Sequence, residues 1–149
     1  MNKSNENWVG WRRDIHRHPE LGFGEERTSA VVAERLESFG IETHTGIGGT
    51  GVVGVLRRGS GTRSVGLRAD IDALPIQEAN EFDHRSVNDG KFHGCGHDGH
   101  TAMLLAAAET LSAAESIDGT VNFIFQPNEE NGLGALAMMD DGLFERFEM

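Results

Sequence analysis

The sequence predicts an α/β domain in which a layered, mixed sheet is flanked by helices. Its 149 residues suffice for one ordinary domain, and 38% hydrophobic with 25% charged residues is typical of a globular protein. Segments with apolar residues at helical spacing alternate with short runs rich in β-branched residues, and glycine-rich turns separate them. Strands that alternate with helices in this way indicate the α/β class.

Two predicted helices open the chain. Apolar residues at helical spacing predict the first, which ends before Pro19 because proline disfavours helix in the residue that precedes it. The second runs over about 25–39, and Gly40 is suited to cap its carboxyl end. The residues that carry the spacing in the first helix are Trp8, Trp11 and Ile15.

Three predicted strands follow these helices, at 41–45, 51–56 and 64–71. Residues 76–93 read as a polar loop. A fourth strand at 120–125 is mostly apolar and reads as a buried strand.

Two more helices are predicted around the fourth strand. An alanine- and leucine-rich segment predicts one helix over about 98–114, and a short one follows over 134–139. Asp98 stands at the start of the longer helix, where an aspartate can cap the free backbone N–H groups.

The segment 46–51 matches the glycine pattern GxGxxG of dinucleotide-binding loops. Such a loop must open a helix whose N-terminus holds the pyrophosphate. Here residues 52–56 read as a strand, so we interpret the glycines as a hairpin turn.

The charge and cysteine content exclude several functions. A net charge of −11 argues against a nucleic acid partner, because phosphate binding needs a basic face. The single cysteine, Cys95, excludes an internal disulfide and fits a reducing compartment, so we expect a cytoplasmic protein. The start of the chain lacks an apolar signal segment, and the apolar stretch 102–108 is too short to span a membrane.

Acidic residues come at the ends of two predicted strands. Asp70 and Asp72 end the third strand, and Glu129 and Glu130 follow the fourth. In an open α/β sheet, ligands bind at the carboxyl ends of strands. Adjacent acids also suit a division of labour, in which one carboxylate binds a metal ion and the other moves a proton. An acidic pair is otherwise commonly solvated surface.

A cysteine and two histidines precede or open the 98–114 helix. Cys95 and His97 are two residues apart between glycines, which permit the turns that aim both side chains at one ion. The nearby helix N-terminus is expected to favour the thiolate. Cys95 alone would more commonly be a small buried residue. His100 is either a hydrogen-bond donor to a metal ligand or an ordinary residue in the first turn of the helix.

Four motifs occur together and in order: RRDIHRHPELGFGE, LRADIDALP, HGCGHDGHT and FQPNEE. With them the chain resembles the metal-dependent amidohydrolases that include hippurate hydrolase, auxin-conjugate hydrolases and N-acyl-amino-acid deacylases. The resemblance covers nearly the whole chain. It implies the fold of a di-metal aminopeptidase-like catalytic domain and cleavage of N-acyl amino acids by a water molecule that metal ions activate.

The resemblance also implies roles for individual residues. Metal ligands would be Cys95, His97 and Glu130, and Glu129 would be the general acid/base. The ions would be two divalent transition metals, namely manganese, zinc, nickel or cobalt. The complete enzyme would act as a homodimer on a small N-acyl amino acid, with no nucleic acid or membrane partner. Supporting contacts to the metal ligands are expected from Asp72, Asp98 and His100. We expect His16 to be structural and His18 to be exposed.

Members of that family are more than twice as long as this chain. They carry two further metal-binding histidines and a separate lid and dimerisation domain, so we expect residues 1–149 to be the N-terminal portion of a catalytic domain. The isolated chain is then expected to be inactive. Two alternatives remain: a non-catalytic remnant that binds metal weakly or not at all, and a redox or nucleophilic protein that uses Cys95 and His97.

Overall fold

The computed structural model describes residues 3–149, with side chains from residue 7 onward. These residues form five helices and four strands. The helices are α1 (Lys3–Arg17), α2 (Glu26–Ser38), α3 (His97–Ser112), α4 (Gly134–Asp140) and α5 (Leu143–Arg146). The strands are β1 (Glu42–Ile47), β2 (Gly51–Arg58), β3 (Ser64–Asp70) and β4 (Gly119–Gln126).

The four strands form one mixed sheet in the order β1-β2-β4-β3. β1, β2 and β4 are antiparallel neighbours, whereas β3 runs parallel to β4. A parallel pair needs a long crossover, and α3 provides it between β3 and β4. Every residue of β4 is buried, as predicted for this strand, including the polar residues Thr120, Asn122 and Gln126.

Helices cover both faces of the sheet. On one face, α2 and α3 pack on the strands around a large apolar core, and α1 lies against α3. On the other face, α4 and α5 contribute to a smaller core. The largest fully buried side chains of the large core are Val32, Leu36, Leu56, Ile71, Leu105, Phe123 and Phe125. The predicted layered α/β architecture is therefore confirmed.

The glycine-rich segment is a hairpin turn, as predicted. β1 and β2 pair antiparallel on either side of it, with a register shift between Thr45 and Ile47. Gly46, Gly48 and Gly49 all have positive φ angles, which glycine adopts without strain. Because a strand rather than a helix follows, this segment has no helix N-terminus for a pyrophosphate.

Three local predictions need correction. β1 begins at Glu42 and extends to Ile47, and the short helix α5 has no counterpart in the prediction. α3 begins one residue earlier than predicted, and Gly96, with φ of 87°, occupies its N-cap position. Asp98 makes no capping hydrogen bond, because its carboxylate is engaged with α1. Over residues 3–149, no helix is both long enough and apolar enough to cross a membrane.

Candidate metal centre

Seven side chains meet at the edge of the sheet where β3 and β4 end. These strands are parallel, with Asp70 opposite Gln126, so both deliver the residues that follow them to the same edge. The segment before α3 and the first turn of that helix complete the group. We call it the open cluster, and its members are Asp70, Asp72, Cys95, His97, His100, Glu129 and Glu130.

His97 lies at the centre of the open cluster, with a side chain that is 2% exposed. Its Nδ1 is 2.9 Å from the backbone oxygen of Asp72 and 3.2 Å from a carboxylate oxygen of the same residue. A carbonyl oxygen only accepts hydrogen bonds, so Nδ1 carries the proton and Nε2 keeps its lone pair in the neutral ring. Asp72 therefore fixes the tautomer that a metal ion needs.

The Nε2 atom of His97 faces three carboxylates. It is 3.6 Å from Asp70 Oδ1 and 3.8 Å from both Glu129 Oε2 and Glu130 Oε1. These separations exceed those of ordinary hydrogen bonds. They are closer to the spacing of ligand atoms around a shared ion, because tetrahedral bonds of about 2.0–2.2 Å place neighbouring ligand atoms about 3.4 Å apart.

Cys95, His97 and Glu130 are brought together, and their ligand atoms lie within 4.8 Å of one another. Glu130 Oε1 is buried and has no hydrogen-bond partner among the described residues. A buried carboxylate oxygen without a partner is unfavourable, and a bound cation would remove that penalty. Sulfur, imidazole nitrogen and carboxylate oxygen are the donors that transition metals take. The three residues therefore fit a divalent transition metal ion.

The acidic surroundings shift the pKa values of the residues that hold His97. Burial opposes a charge on His97, but its hydrogen bond to Asp72 and the charge of Asp70 outweigh burial and raise its pKa. Burial also opposes the charge of Asp72, yet hydrogen bonds from His97 and from the Glu130 backbone N–H lower the pKa of that carboxyl. A proton on His97 and a metal ion would thus compete for the same position.

The pKa of the Cys95 thiol is shifted in the opposite direction to the one predicted. The N-terminus of α3 was expected to favour the thiolate, but the pKa of the Cys95 thiol is raised, first by burial and then by the carboxylates of Glu130 and Glu129. That prediction is wrong because, although Cys95 is exposed, desolvation of its thiol and then the neighbouring acids outweigh the helix dipole. A raised thiol pKa also argues against a redox or nucleophilic protein, since reactive cysteines have lowered pKa values.

The segment that carries the two glutamates is held by contacts that sequence reasoning did not single out. The fully buried Glu25 accepts a hydrogen bond of 2.8 Å from the backbone N–H of Asn128, which has a positive φ of 46°. Asp72 accepts one of 3.1 Å from the backbone N–H of Glu130. A Cβ at Gly22 would lie 1.9 Å from the Asn128 side chain, so only glycine fits there. The available signal was that Gly22 and Glu25 lie in the first motif.

The two adjacent glutamates differ in environment. The side chain of Glu129 is 41% exposed, whereas that of Glu130 is 23% exposed and turns one oxygen into the interior. Both lie at the same distance from His97 Nε2. The buried oxygen suits a ligand, and the more exposed carboxylate suits a group that exchanges protons with water and substrate.

A second group of acids and histidines lies on the other side of the start of α3. His16 Nδ1 is 2.9 Å from Asp98 Oδ2, and its Nε2 is 3.0 Å from Glu78 Oε1. Arg12 donates a further bond of 3.0 Å to Asp98. His93 packs beside the His16 ring at a centroid distance of 6.3 Å. We call Arg12, His16, Glu78, His93 and Asp98 the closed cluster.

The structure places three more of the predicted residues, two of them in the closed cluster. His16 is buried and ties α1 to α3, which agrees with the structural role expected for it. The Asp98 carboxylate points to α1, so any effect of Asp98 on a metal ion would pass through the position of α3. His18 is half-buried rather than exposed, because its ring bonds the backbone oxygen of Asp14 at 2.8 Å.

The fold and the open cluster define an α/β domain with a candidate metal centre at the carboxyl ends of its parallel strands. The chain belongs to the peptidase family M20/M25/M40, whose family model matches residues 66–149. This confirms the resemblance inferred from the four motifs.

Individual relatives agree with that assignment. Hippurate hydrolase from Campylobacter jejuni is 50% identical over 137 residues, and N-acyl-L-amino acid amidohydrolase from Geobacillus stearothermophilus is 48% identical over 123 residues. They cover 92% and 82% of this chain, which spans 36% and 33% of their lengths. A dinuclear metal-binding M20 peptidase from Bacillus subtilis superimposes with a TM-score of 0.90 at 38% identity, over 95% of this chain and 40% of that one.

Proposed function

We propose that the chain is the metal-binding N-terminal part of a hydrolase that cleaves the amide bond of N-acyl amino acids. The observation that carries this proposal is the convergence of Cys95, His97 and Glu130, with a buried, unpartnered oxygen on Glu130. The named activities of the relatives, hippurate hydrolase and N-acyl-L-amino acid amidohydrolase, supply the substrate class. A homodimer of the complete enzyme and a cytoplasmic location stay predictions.

Cys95, His97 and Glu130 would hold a divalent transition metal. The thiol and the imidazole favour zinc, cobalt, nickel or manganese over magnesium. When bound, the metal would supply Lewis acidity toward the amide carbonyl and lower the pKa of water. The solved dinuclear relative supports a second ion in the complete enzyme. These three residues are too few for two complete coordination shells, so the second ion needs additional ligands.

The protein's own residues would position and move protons. Asp72 holds His97 in the tautomer with a free Nε2, and it also holds the backbone of Glu130. Glu129 would act as the general base toward the attacking water and then as the general acid toward the amide nitrogen. Its partly exposed carboxylate, 3.8 Å from His97 Nε2, lies beside the ligands without being buried among them.

A pair of matched substitutions tests the division between the two glutamates. In the 149-residue chain, Glu130→Gln is expected to weaken zinc or manganese binding by about 100-fold, because it removes a ligand charge. Glu129→Gln is expected to stay within about threefold, since its carboxylate is not needed as a ligand. Calorimetric titration of both variants measures the difference. Weaker binding in Glu129→Gln than in Glu130→Gln would show that the roles are exchanged.

Activity assays test the proposal that the chain is one part of an N-acyl amino acid hydrolase. With added manganese, the 149-residue chain is expected to show negligible hydrolysis of N-acetyl or N-benzoyl amino acids, because its ligand set is incomplete. Turnover equal to that of a full-length relative would contradict the partial-site proposal. A chain that binds neither zinc nor manganese would favour the alternative of a non-catalytic remnant.

A further inference from the structure

A second set of potential ligands shares His97. Asp70, His97 and His100 also offer ligand atoms that lie within 4.8 Å of one another. The two histidines are three residues apart on α3, so they lie on the same side of the helix. Their rings are stacked at a centroid distance of 5.5 Å with an interplanar angle of 29°.

Asp70 links the two rings. Its Oδ1 is 2.6 Å from His100 Nδ1 and 3.6 Å from His97 Nε2. Its other oxygen, Oδ2, accepts a hydrogen bond of 2.9 Å from Arg68 Nη1. Arg68 therefore orients the carboxylate so that Oδ1 faces the histidines. Two imidazoles and one carboxylate on one side of an ion form the facial triad that leaves other coordination positions open.

The two ligand sets cannot use His97 at the same time. Its Nδ1 is committed to Asp72, so only Nε2 can bind an ion. We propose that the 149-residue chain has two mutually exclusive metal sites that share His97 Nε2: a thiolate site with Cys95 and Glu130, and a triad site with Asp70 and His100. This inference rests on the proposed role of His97 as a ligand and goes beyond it by adding Asp70 and His100.

The donor chemistry sets the preference between the two sites. The thiolate site offers a soft sulfur and suits zinc or cobalt, whereas the triad site offers nitrogen and oxygen donors only. The His100 side chain is 46% exposed, so the triad site is open to ions from solvent. When the sulfur ligand is removed, the ion is therefore expected to occupy the triad site.

Cobalt titration tests the proposal, because a cobalt–thiolate bond gives a charge-transfer absorption that nitrogen and oxygen ligands do not give. The wild-type chain is expected to bind one cobalt ion and to show this absorption. Cys95→Ser is expected to bind one cobalt ion without it. His100→Ala is expected to keep the absorption, with affinity within about threefold of wild type, since the thiolate site stays intact.

The double variant Cys95→Ser/His100→Ala decides the outcome. It is expected to bind cobalt at least about tenfold more weakly than Cys95→Ser, because both sites have lost a ligand. Cys95→Ser/Asp70→Asn is a second probe with the same expectation. Cys95→Ser/His44→Ala is the matched control, since His44 lies on β1 and pairs with Glu42. Circular dichroism establishes that each variant is folded.

Other results separate the two proposals. If wild type binds cobalt through sulfur but Cys95→Ser does not bind, the thiolate site stands and the triad site is wrong. Equal cobalt affinity in Cys95→Ser and in Cys95→Ser/His100→Ala would likewise show that the triad site is wrong. Two cobalt ions per wild-type chain would contradict the sharing of His97. No cobalt binding by wild type would contradict the proposed metal centre itself.

Discussion

The open and closed clusters are made from the same residue types, yet they are completed in different ways. In the closed cluster, both nitrogens of His16 have a carboxylate partner, at 2.9 Å and 3.0 Å. In the open cluster, one nitrogen of His97 is bonded to Asp72, and the other faces carboxylates at 3.6–3.8 Å. The central histidine of the closed cluster therefore has both nitrogens bonded, although Asp98 Oδ1 and the His93 ring nitrogens lack partners among the described residues. The central histidine of the open cluster keeps one nitrogen available for a cation.

This difference shows how neighbouring residues take unrelated roles. His97 and Asp98 are consecutive on α3, where successive side chains point in directions about 100° apart. One points to the end of the sheet and the other to α1. The closed cluster therefore attaches α3 to α1, while the open cluster holds its potential ligands at the end of the sheet. We expect substitutions in the closed cluster to affect folding stability, and substitutions in the open cluster to affect metal affinity.

The largest expected effect is on stability. His16→Ala removes one partner from each of two buried carboxylates, Asp98 and Glu78, and leaves a cavity, so it is expected to destabilise the fold by about 3–5 kcal/mol. Urea unfolding measures the change. The control His44→Ala disrupts a partly exposed pair with Glu42 and is expected to cost less than about 1 kcal/mol. If the two variants unfold at the same urea concentration, the closed cluster does not have the structural role given to it.

A smaller effect is expected from pH. Burial lowers the pKa of His93 to about 4, although the charge of Asp98 opposes this shift. Neither ring nitrogen has a hydrogen-bond partner among the described residues. The unfolded chain takes up a proton near pH 6.5 and the folded chain does not until about pH 4. Folding stability is therefore expected to fall by about 3 kcal/mol as the pH drops across this window.

The variant His93→Phe tests that expectation because phenylalanine is similar in shape and does not titrate. Between pH 7 and pH 4, the unfolding free energy of wild type is expected to fall by about 3 kcal/mol more than that of the variant. His18→Phe, at a half-buried surface position, is the control for the loss of an imidazole. Parallel curves for wild type and His93→Phe would show that His93 is not the residue that resists protonation.

The smallest expected effect concerns the support of His97. Asp72→Asn keeps the shape of the side chain but removes the charge that faces His97 Nδ1 and the Glu130 backbone N–H. Loss of such a supporting carboxylate typically weakens metal binding by about 10–100-fold. Zinc competition with a chelating dye measures it, with the exposed Asp89→Asn as the control. Equal affinities in the two variants would mean that the backbone oxygen of Asp72 alone orients His97.

Most of the secondary structure and the candidate metal ligands could be predicted from local sequence. The spacing of apolar residues placed four helices and four strands within a few residues, because amphipathic periodicity is set locally. The motifs brought Cys95, His97 and Glu130 into one hypothesis, and the structure places them together. Their roles as ligands stay predictions.

The partners that define each cluster could not be predicted in the same way. Glu78 lies in a segment that reads only as a polar loop, yet its carboxylate bonds His16 across 62 positions of the chain. Asp98 has the sequence position of a helix cap, but in the fold its carboxylate bonds His16 and Arg12 of α1 instead. The pKa of the Cys95 thiol likewise depends on desolvation and then on Glu130 and Glu129, which follow β4 and are more than 30 positions away in the chain. Such pairings depend on tertiary distance, which no local pattern encodes.

The parallel pairing of β3 has a consequence for how the chain is made. β3 pairs with β4 alone among the described strands, and β4 follows it only after the loop and α3. At roughly 5–20 residues per second, a ribosome needs several seconds to complete that interval. During this time the emerging strand has no neighbour with which to form its ladder. Chaperone capture of nascent chains is therefore expected once β3 has left the exit tunnel, and it should cease once β4 has left it as well.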